Sequence, residues 1–419
     1  MIIGKKVVPV LVFVILCGFS AAAQTAERSY YVSANGSDEN NGRSEDAPFK
    51  TFTYAAEMAN KGVVKTITVL GTLGPGKFEI NNTGTVEILV KGKSEGEKAF
   101  LRGNGEGSVL QIAGNGPVRL ENVEITGGKA NGGGVSVNGP AVTLGKGVTI
   151  SGNYSDNVGG GVYVGSGSLT MLDGAVISDN TAYFGYSNEG NYGYGGGVYI
   201  FKGTFTMSGG IISGNKASSY RGGNGGGVHV YNGTFTMSGG VISGNAAGGN
   251  GGGISSEGGT FTVSGGTISG NTASAGGGAY VQNGSFTMLN GVTISDNSAR
   301  DIGGGVYVRG KSFIMSGGTI SNNTAGQDGG GIASGEGGTM SGGTISNNTA
   351  GRDGGGVTSW RSTFTLSGGT INDNTAGRDG GGVYGGVTLS GAAALSGTTA
   401  NGNGGGINGG GEMKNGSVT

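Results

Sequence analysis

Residues 225–247 read GGGVHVYNGTFTMSGGVISGNAA, and a unit close to GGGVYV-x-x-GTFTMSGGTISGNTA recurs down the 419-residue chain. Its triple glycine starts at Gly132, Gly159, Gly195, Gly225, Gly251, Gly276, Gly303, Gly329, Gly354, Gly380 and Gly404, so successive starts lie 24 to 36 residues apart and most lie near 26. A period of this length marks a stacked solenoid, in which each repeat is one turn of a coil. Inside the unit the apolar residues alternate: Val306 and Val308, Phe261 and Val263, then Ile268 between Thr267 and Ser269. Period two is the signature of a strand with one face inward and one in water. Three short strands separated by glycine-rich bends predict a triangular coil.

No single unit can bury its apolar side chains alone. Stacking coils in parallel at about 4.8 Å pairs the backbones and lines equivalent side chains up in columns. One predicted inward column is Leu169, Phe205, Phe235, Phe261, Phe286, Phe313 and Phe364. Another is Met171, Met207, Met237, Val263, Met288, Met315, Met340 and Leu366. A third runs from Ile150 through Ile177, Ile212, Ile242, Ile268, Ile294, Ile320 and Ile345 to Ile371. An asparagine follows the isoleucine strand at Asn153, Asn180, Asn215, Asn245, Asn271, Asn297, Asn323, Asn348 and Asn374. An amide carries both donors and an acceptor, so stacked asparagines can bond one another at a bend.

This periodicity decides how the composition is read. Glycine supplies 102 residues, which without a repeat would indicate a low-complexity polymer. It does not fall at every third position, so a collagen helix is excluded. Lysine and arginine number 25 against 26 acidic residues, and no basic stripe is visible, which argues against a nucleic-acid partner. Lys5 and Lys6 precede an apolar run from Val7 to Leu16, followed by Ser20, Ala21, Ala22 and Ala23. That pattern predicts an export signal over residues 1–23 and a secreted chain with no transmembrane segment once it is removed. The only cysteine, Cys17, lies inside it, so neither disulfides nor cysteine-bound metal are expected afterwards. The organisation that follows is a cap segment over 24–62 with a helix from about Phe49 to Asn60, degenerate coils over 63–131, and glycine-rich repeat coils over 132–419. Strands in the degenerate part are expected at Ile67–Leu70, Val86–Val90, Val109–Ile112 and Val118–Ile125.

Tyr31, Val32, Ser33, Gly36, Ser37, Asp38, Gly42, Pro48, Phe49, Lys50, Thr51 and Ala55 resemble the opening of many secreted proteins of the pectate-lyase-like, right-handed parallel β-helix superfamily. The repeats resemble those of bacterial polymorphic outer-membrane proteins and adhesin-like β-helix proteins, with GGG in most copies where those have a GGA motif. The resemblance implies an all-β, single-stranded right-handed parallel β-helix of about 26 residues per coil with a short N-terminal capping helix, located outside the cell or at a bacterial cell surface or outer membrane. The right hand comes from the resemblance, since alternation does not set it.

Enzymes on this resembled fold use clustered carboxylates, and no such cluster is visible; no catalytic residue and no metal site are assigned. The single histidine, His229, replaces the tyrosine of a VYV strand and reads as an outward surface residue. Asp328, Asp353 and Asp379 each precede a triple glycine and should stack. They read as a solvated turn balanced by Arg352 and Arg378, with a calcium edge as the alternative; no other cofactor is expected. Thr204 and Thr206, Thr234 and Thr236, Thr260 and Thr262, and Thr363 and Thr365 form a two-wide threonine grid similar to those of ice-binding solenoids.

A second outward array is aromatic. Tyr163, Tyr199, Tyr280, Tyr307 and Tyr384 share one strand position, and beside it lie two insertions that carry Tyr183, Phe184, Tyr186, Tyr192 and Tyr194, then Tyr220 and Arg221. Insertions on one face are where solenoids carry binding surfaces, and tyrosines give rigid amphipathic contact. The expected partner-binding residues are therefore Tyr183, Phe184, Tyr186, Tyr192, Tyr194, Tyr199, Tyr220 and Arg221, facing a glycan or a host or neighbouring-cell surface protein. The expected function is a non-catalytic, adhesin-like scaffold. The alternatives are a polysaccharide lyase or hydrolase with its residues near Glu79, Glu87, Lys91, Glu95 and Arg102, and an ice-binding protein.

Overall fold

The computed structural model describes residues 28–185, 193–219, 222–414 and 417–418. They form a parallel β-solenoid of about 13 turns, each of about 26 residues. In the coil that opens at Gly225 the strands are Val228–Tyr231, Thr234–Met237, Val241–Ser243 and Ala246–Ala247. Each pairs in parallel with its counterpart in the next coil, Val228 with Ile254, Phe235 with Phe261, Ile242 with Ile268 and Ala246 with Thr272.

The unit thus has four strands where alternation predicts three. The first two belong to one sheet and run on without a break in Val135–Leu144 and Val162–Met171. The isoleucine strands form a second sheet, and the third is built from pairs such as Thr324–Ala325 after the asparagine bend. Two residues are too few for an alternation to show in sequence.

All three predicted columns are buried, from Leu169 to Phe364, Met171 to Leu366 and Ile150 to Ile371. The phenylalanine rings contact from coil to coil, with centroids 5.2 Å apart for Phe205 and Phe235 and 4.7 Å for Phe235 and Phe261. Burying each such side chain contributes about 1.5–3 kcal/mol, and this offsets the entropy lost by ordering so much glycine.

The asparagine column is a continuous hydrogen-bonded chain. The Asn245 backbone N–H and Nδ2 both donate to Oδ1 of Asn271, each at 3.0 Å, and Asn245 Nδ2 also donates to the carbonyl of Ile212 at 3.0 Å. Asn271 repeats the pattern toward Asn297 and Ile242. Every amide atom is used, which is why these buried polar groups are tolerated. The residue before each asparagine turns the chain with a left-handed backbone: Gly244 at φ 62°, Asp296 at 58° and Asn322 at 57°. Glycine, aspartate and asparagine accept that region most readily, which explains the alternation of GN, DN and NN in the repeats.

The triple glycine has two causes. Gly225 adopts φ 70°, and a Cβ there would fall 2.7 Å from the Cβ of His229. Gly226 and Gly227 are not left-handed, but a Cβ on either would stand 2.4 Å or 2.6 Å from a glycine carbonyl of the next coil. The bend is closed against its neighbour and admits no side chain.

At the N-terminal end the helix α1 spans Phe52–Lys61, capped by Thr51, whose hydroxyl accepts from the Tyr54 N–H. It starts three residues later than expected because Phe49 is bridged to Val32 in extended conformation. Phe52, Ala55, Ala56 and Ala59 are buried, and Phe52 meets Phe78 with centroids 5.5 Å apart, so the helix packs on the first coils. The edge of the first strand, Ser29–Val32, is bonded by the segment that precedes the helix, Tyr31 N–H donating to the Gly42 carbonyl at 2.8 Å and Ser33 N–H to that of Phe49 at 2.9 Å. The degenerate coils carry strands at Thr66–Val69, Ile88–Gly92, Leu110–Gly114, Val118–Glu121 and Val123–Thr126. The last two are separate because Asn122 turns left-handed at φ 51°. The expected export signal lies outside the described residues. Among those described, no helix is long and apolar enough to cross a membrane.

Candidate binding groove

Two outward columns on the first sheet change residue type widely from coil to coil. Strand register places Tyr163, Tyr199, His229, Ser255, Tyr280, Tyr307, Ala333 and Thr358 in the first. The position two residues further on forms the second: Phe201 pairs with Tyr231, Tyr231 with Glu257 and Glu257 with Gln282, and the same position holds Arg309, Gly335 and Trp360 in later coils. The core columns are held uniform by packing. Packing imposes no such uniformity on the second of the two, whose members other than Gly335 are partly or wholly exposed.

The first column corrects an expectation. His229, read as a surface residue, is fully buried, and Tyr199 and Tyr280 are 8% and 2% exposed. The position points away from the core, but the chain folds over it on the way into the strand. The left-handed first glycine brings the preceding backbone across the side chain, as when Thr358 donates to the carbonyl of Asp353 at 2.9 Å. Tyr194 closes the cover over His229. The imidazole contacts both Tyr194 at 4.6 Å and Tyr199 at 5.4 Å, and the two tyrosines stand 6.3 Å from each other, so the three rings form one cluster. Neither imidazole nitrogen has a hydrogen-bond partner, nor has the Ser255 hydroxyl on the next coil. Burial pushes the His229 pKa down to about 3, so the ring is neutral at physiological pH.

The second column edges a groove made of three adjoining open cavities. The first, of about 300 Å³, is lined by Asn157, Tyr163, Tyr194, Tyr199 and Phe201 among others. The second, of about 780 Å³, shares Tyr194 and adds Asn224, Asn250, Glu257, Gln282 and Arg300. The third, also of about 780 Å³, shares Gln282 and ends at Tyr307, Arg309, Arg352, Trp360 and Arg361. The groove crosses successive coils at about 4.8 Å each. Aromatic pairs stand at both ends: Phe201 stacks on Tyr231 at 5.5 Å, and Tyr307 meets Trp360 edge to face at 5.9 Å. Between them lie amides and the carboxylate of Glu257, which accepts a long bond of 3.5 Å from Asn224 Nδ2. Burial raises the Glu257 pKa, and the Asn224 bond opposes that rise.

Of the residues singled out in sequence, Tyr194 and Tyr199 line the groove. Tyr183 and Phe184 sit on the third sheet in the strand Thr181–Phe184, paired with Ser218 and Ser219 of the coil that bears the second insertion. Tyr186, Tyr192, Tyr220 and Arg221 lie outside the described residues. Glu257, Gln282, Arg309 and Trp360 were not picked out from sequence. Their signal was available as the one repeat position after the VYV strand that carries aromatic, acidic, amide and basic residues in turn.

The other constellations resolve differently. Arg352 grips Asp328 of the preceding coil at 3.2 and 2.9 Å through Nε and Nη2, and Arg378 grips Asp353 in the same way. The Asp353 and Asp379 N–H groups each donate to the aspartate one coil earlier at 3.3 Å. The residues considered for an enzyme are spread apart. Glu79 pairs with Gln111 on the first sheet, Arg102 with Thr126 on the second, and Glu95 bonds Lys146 at 2.6 Å. Among the described residues no three of His, Cys, Asp and Glu converge on a common metal position. The threonine grid is in register and outward, with Thr204, Thr234 and Thr260 exposed. Its inner column extends through Thr143, Thr170, Thr206, Thr236, Thr262 and Thr287 and, past Ile314, through Thr339, Thr365 and Thr388.

No family model matches the chain, and no curated protein matches it. Among solved structures, a GH136 lacto-N-biosidase from Eubacterium ramulus aligns over 94% of this chain and 68% of its own at 11% identity, with a TM-score of 0.30. A likeness at that level carries no information about what this chain does.

Proposed function

We propose that the protein is a non-catalytic, adhesin-like β-helix scaffold that holds a glycan along the groove from Tyr163 to Trp360. The observation that carries this reading is the outward column from Phe201 to Trp360, which brings aromatic, acidic, amide and basic side chains to the edge of one groove. A saccharide chain needs flat apolar platforms for its rings and amides or carboxylates for its hydroxyls, and the groove has the first at both ends and the second between them. Its rungs follow one another at about the strand spacing, close to the advance of one sugar ring along an extended chain. The ligand would therefore lie along the solenoid. Secretion to a cell surface belongs to the same proposal and is supported by the apolar amino-terminal stretch.

The test is a glycan array probed with the purified protein and with Phe201→Ser/Tyr231→Ser/Trp360→Ser. The native protein is expected to capture a restricted set of glycans without releasing new reducing or unsaturated ends, and the triple variant to lose them. Turnover of any bound polysaccharide would replace the scaffold by an enzyme. A second reading rests on the threonine column, whose regular exposed hydroxyls suit an ordered surface such as ice. Thermal hysteresis that is lost in Thr236→Tyr supports it, and none in the native protein ends it.

A further inference from the structure

The C-terminal cavity of the groove has an unbalanced charge. Three arginines line it with two acids, Asp328 and Glu336. Arg352 is committed to Asp328 at 2.9 Å and Arg361 to Glu336 at 3.5 Å. Among the described residues no carboxylate meets Arg309. Its electrostatic neighbours are the Tyr280 and Tyr307 hydroxyls, and Tyr280 donates to Gln282 Oε1 at 3.2 Å. Arg309 is thus an exposed cation on the cavity wall whose charge no carboxylate offsets. Beside it Trp360, 39% exposed, and Tyr307 make an aromatic corner.

The opposite sign occurs two rungs earlier. Glu257 has no cationic partner among the described residues and is half-buried in the middle cavity. The separation of these two rungs is about 10 Å. A negative group is repelled at Glu257 and attracted at Arg309, while sugar hydroxyls can donate to the Glu257 carboxylate.

From this we infer that the glycan is acidic, and that a pyranose bearing a carboxylate or sulfate seats on the Tyr307–Trp360 corner with its anion on Arg309. Guanidinium forks match the oxygen geometry of both anions and give charge-assisted bonds stronger than neutral ones. The neutral remainder of the chain then runs toward Glu257, so the charge order also fixes the direction in which the saccharide lies. This inference rests on the glycan-binding reading and adds to it the chemical class and the polarity of the ligand.

Trp360 is the single tryptophan of the chain, so tryptophan emission reports on this corner alone. The native protein is titrated with a uronate hexasaccharide, with the same compound after reduction of its carboxyls to alcohols, and with a sulfated neutral hexasaccharide, with calorimetry in parallel. At least one acidic compound is expected to change the emission and to bind about tenfold or more tighter than the reduced one. Arg309→Gln, a substitution at an exposed position checked for an unchanged Tm, is expected to erase that preference, bringing the acidic compound's affinity down to that of the reduced one. Whether the uronate or the sulfate binds tighter identifies the anion. Equal affinity for acidic and reduced compounds, or full retention of the preference in Arg309→Gln, overturns the acidic assignment and leaves glycan binding standing. Binding of no saccharide by either method overturns both.

Discussion

The rings of Phe313 and Phe364 stack with centroids 6.4 Å apart although a whole coil lies between them. The intervening coil carries Gly338 in the phenylalanine column, paired with Phe313 on one side and Phe364 on the other. The two rings close over the gap and leave no room for a side chain. A Cβ at Gly338 would fall 2.9 Å from both the Phe313 carbonyl oxygen and Phe364 Cε2. Gly338→Ala should therefore destabilise by about 1–3 kcal/mol through overpacking, although alanine is ordinarily the better strand residue by about 0.5–1 kcal/mol. Chemical denaturation measures the difference. A gain in stability would show that the rings part freely.

The asparagine chain gives a second expectation. Asn271→Ala removes the acceptor used by the Asn245 N–H and Nδ2 and the donor used by the Ile242 carbonyl. Each buried group left unpaired costs about 1–3 kcal/mol, so a loss of about 3 kcal/mol or more is expected. Asn290, an exposed turn residue of the same type outside the left-handed region, is the control: Asn290→Ala should cost much less. Equal losses at the two sites would remove the chain of amides as a stabilising element.

These two columns also show what the sequence could and could not reveal. Phe313, Ile268 and Asn271 were placed correctly because a repeat prints the same residue wherever the same contact recurs. The closing of the rings over Gly338 was invisible, since a missing copy in a column carries no sign of how its neighbours respond. His229 was misplaced for a related reason. Alternation tells inward from outward along a strand, but not whether a later piece of chain crosses the outward side. The groove was half legible: Tyr194 and Tyr199 stood out as tyrosines beside an insertion, whereas Glu257 and Arg309 acquire meaning only when register sets them on neighbouring rungs.

His229 also predicts an acid sensitivity. The buried imidazole titrates at about 3 when folded, against about 6.5 in an unfolded chain. Below the unfolded value the unfolded chain takes up a proton that the folded one refuses, so stability is lost progressively as pH falls from about 6.5 toward the folded value. His229→Tyr, the residue that the preceding coil carries at Tyr199, should flatten the dependence over that range. Tm measured between pH 7 and pH 4 reads it directly. Parallel curves for the two proteins would mean that the ring protonates without leaving its place against Tyr194 and Tyr199.

Asp38 works in the same sense at the cap. Its carboxylate accepts from the Lys50 N–H at 2.9 Å, the Thr51 N–H at 2.9 Å and the Thr51 hydroxyl at 2.8 Å. Burial alone would raise its pKa, but the bonds from Thr51 and Lys50 outweigh it and hold the group below the usual carboxylate range. The folded value being the lower one, this contribution is present above the unfolded carboxylate pKa and is lost as pH falls through the folded one. Acidification should therefore loosen α1 before the repeat coils. Hydrogen exchange of the Phe52–Lys61 amides should accelerate in acid relative to those of the isoleucine strands, once corrected for intrinsic rates. Asp38→Asn should show the faster exchange already at neutral pH.

The aspartate column separates an arginine-held edge from a calcium-held one. Asp353 is 2% exposed, and its carboxylate is gripped by Arg378 while also accepting from the Asp379 N–H. Arg378→Ala leaves a buried carboxylate with no cation, which costs about 3–5 kcal/mol when the site is fully desolvated and less here because Arg378 itself is about half exposed. Asp353→Asn in the same background removes the stranded charge and should recover much of the loss. If guanidinium groups alone balance the column, chelation by EDTA leaves the Tm of the native protein unchanged. A clear drop in Tm on chelation, restored by added calcium, would instead assign the edge of Asp328, Asp353 and Asp379 to a bound cation, with the arginines as its competitors.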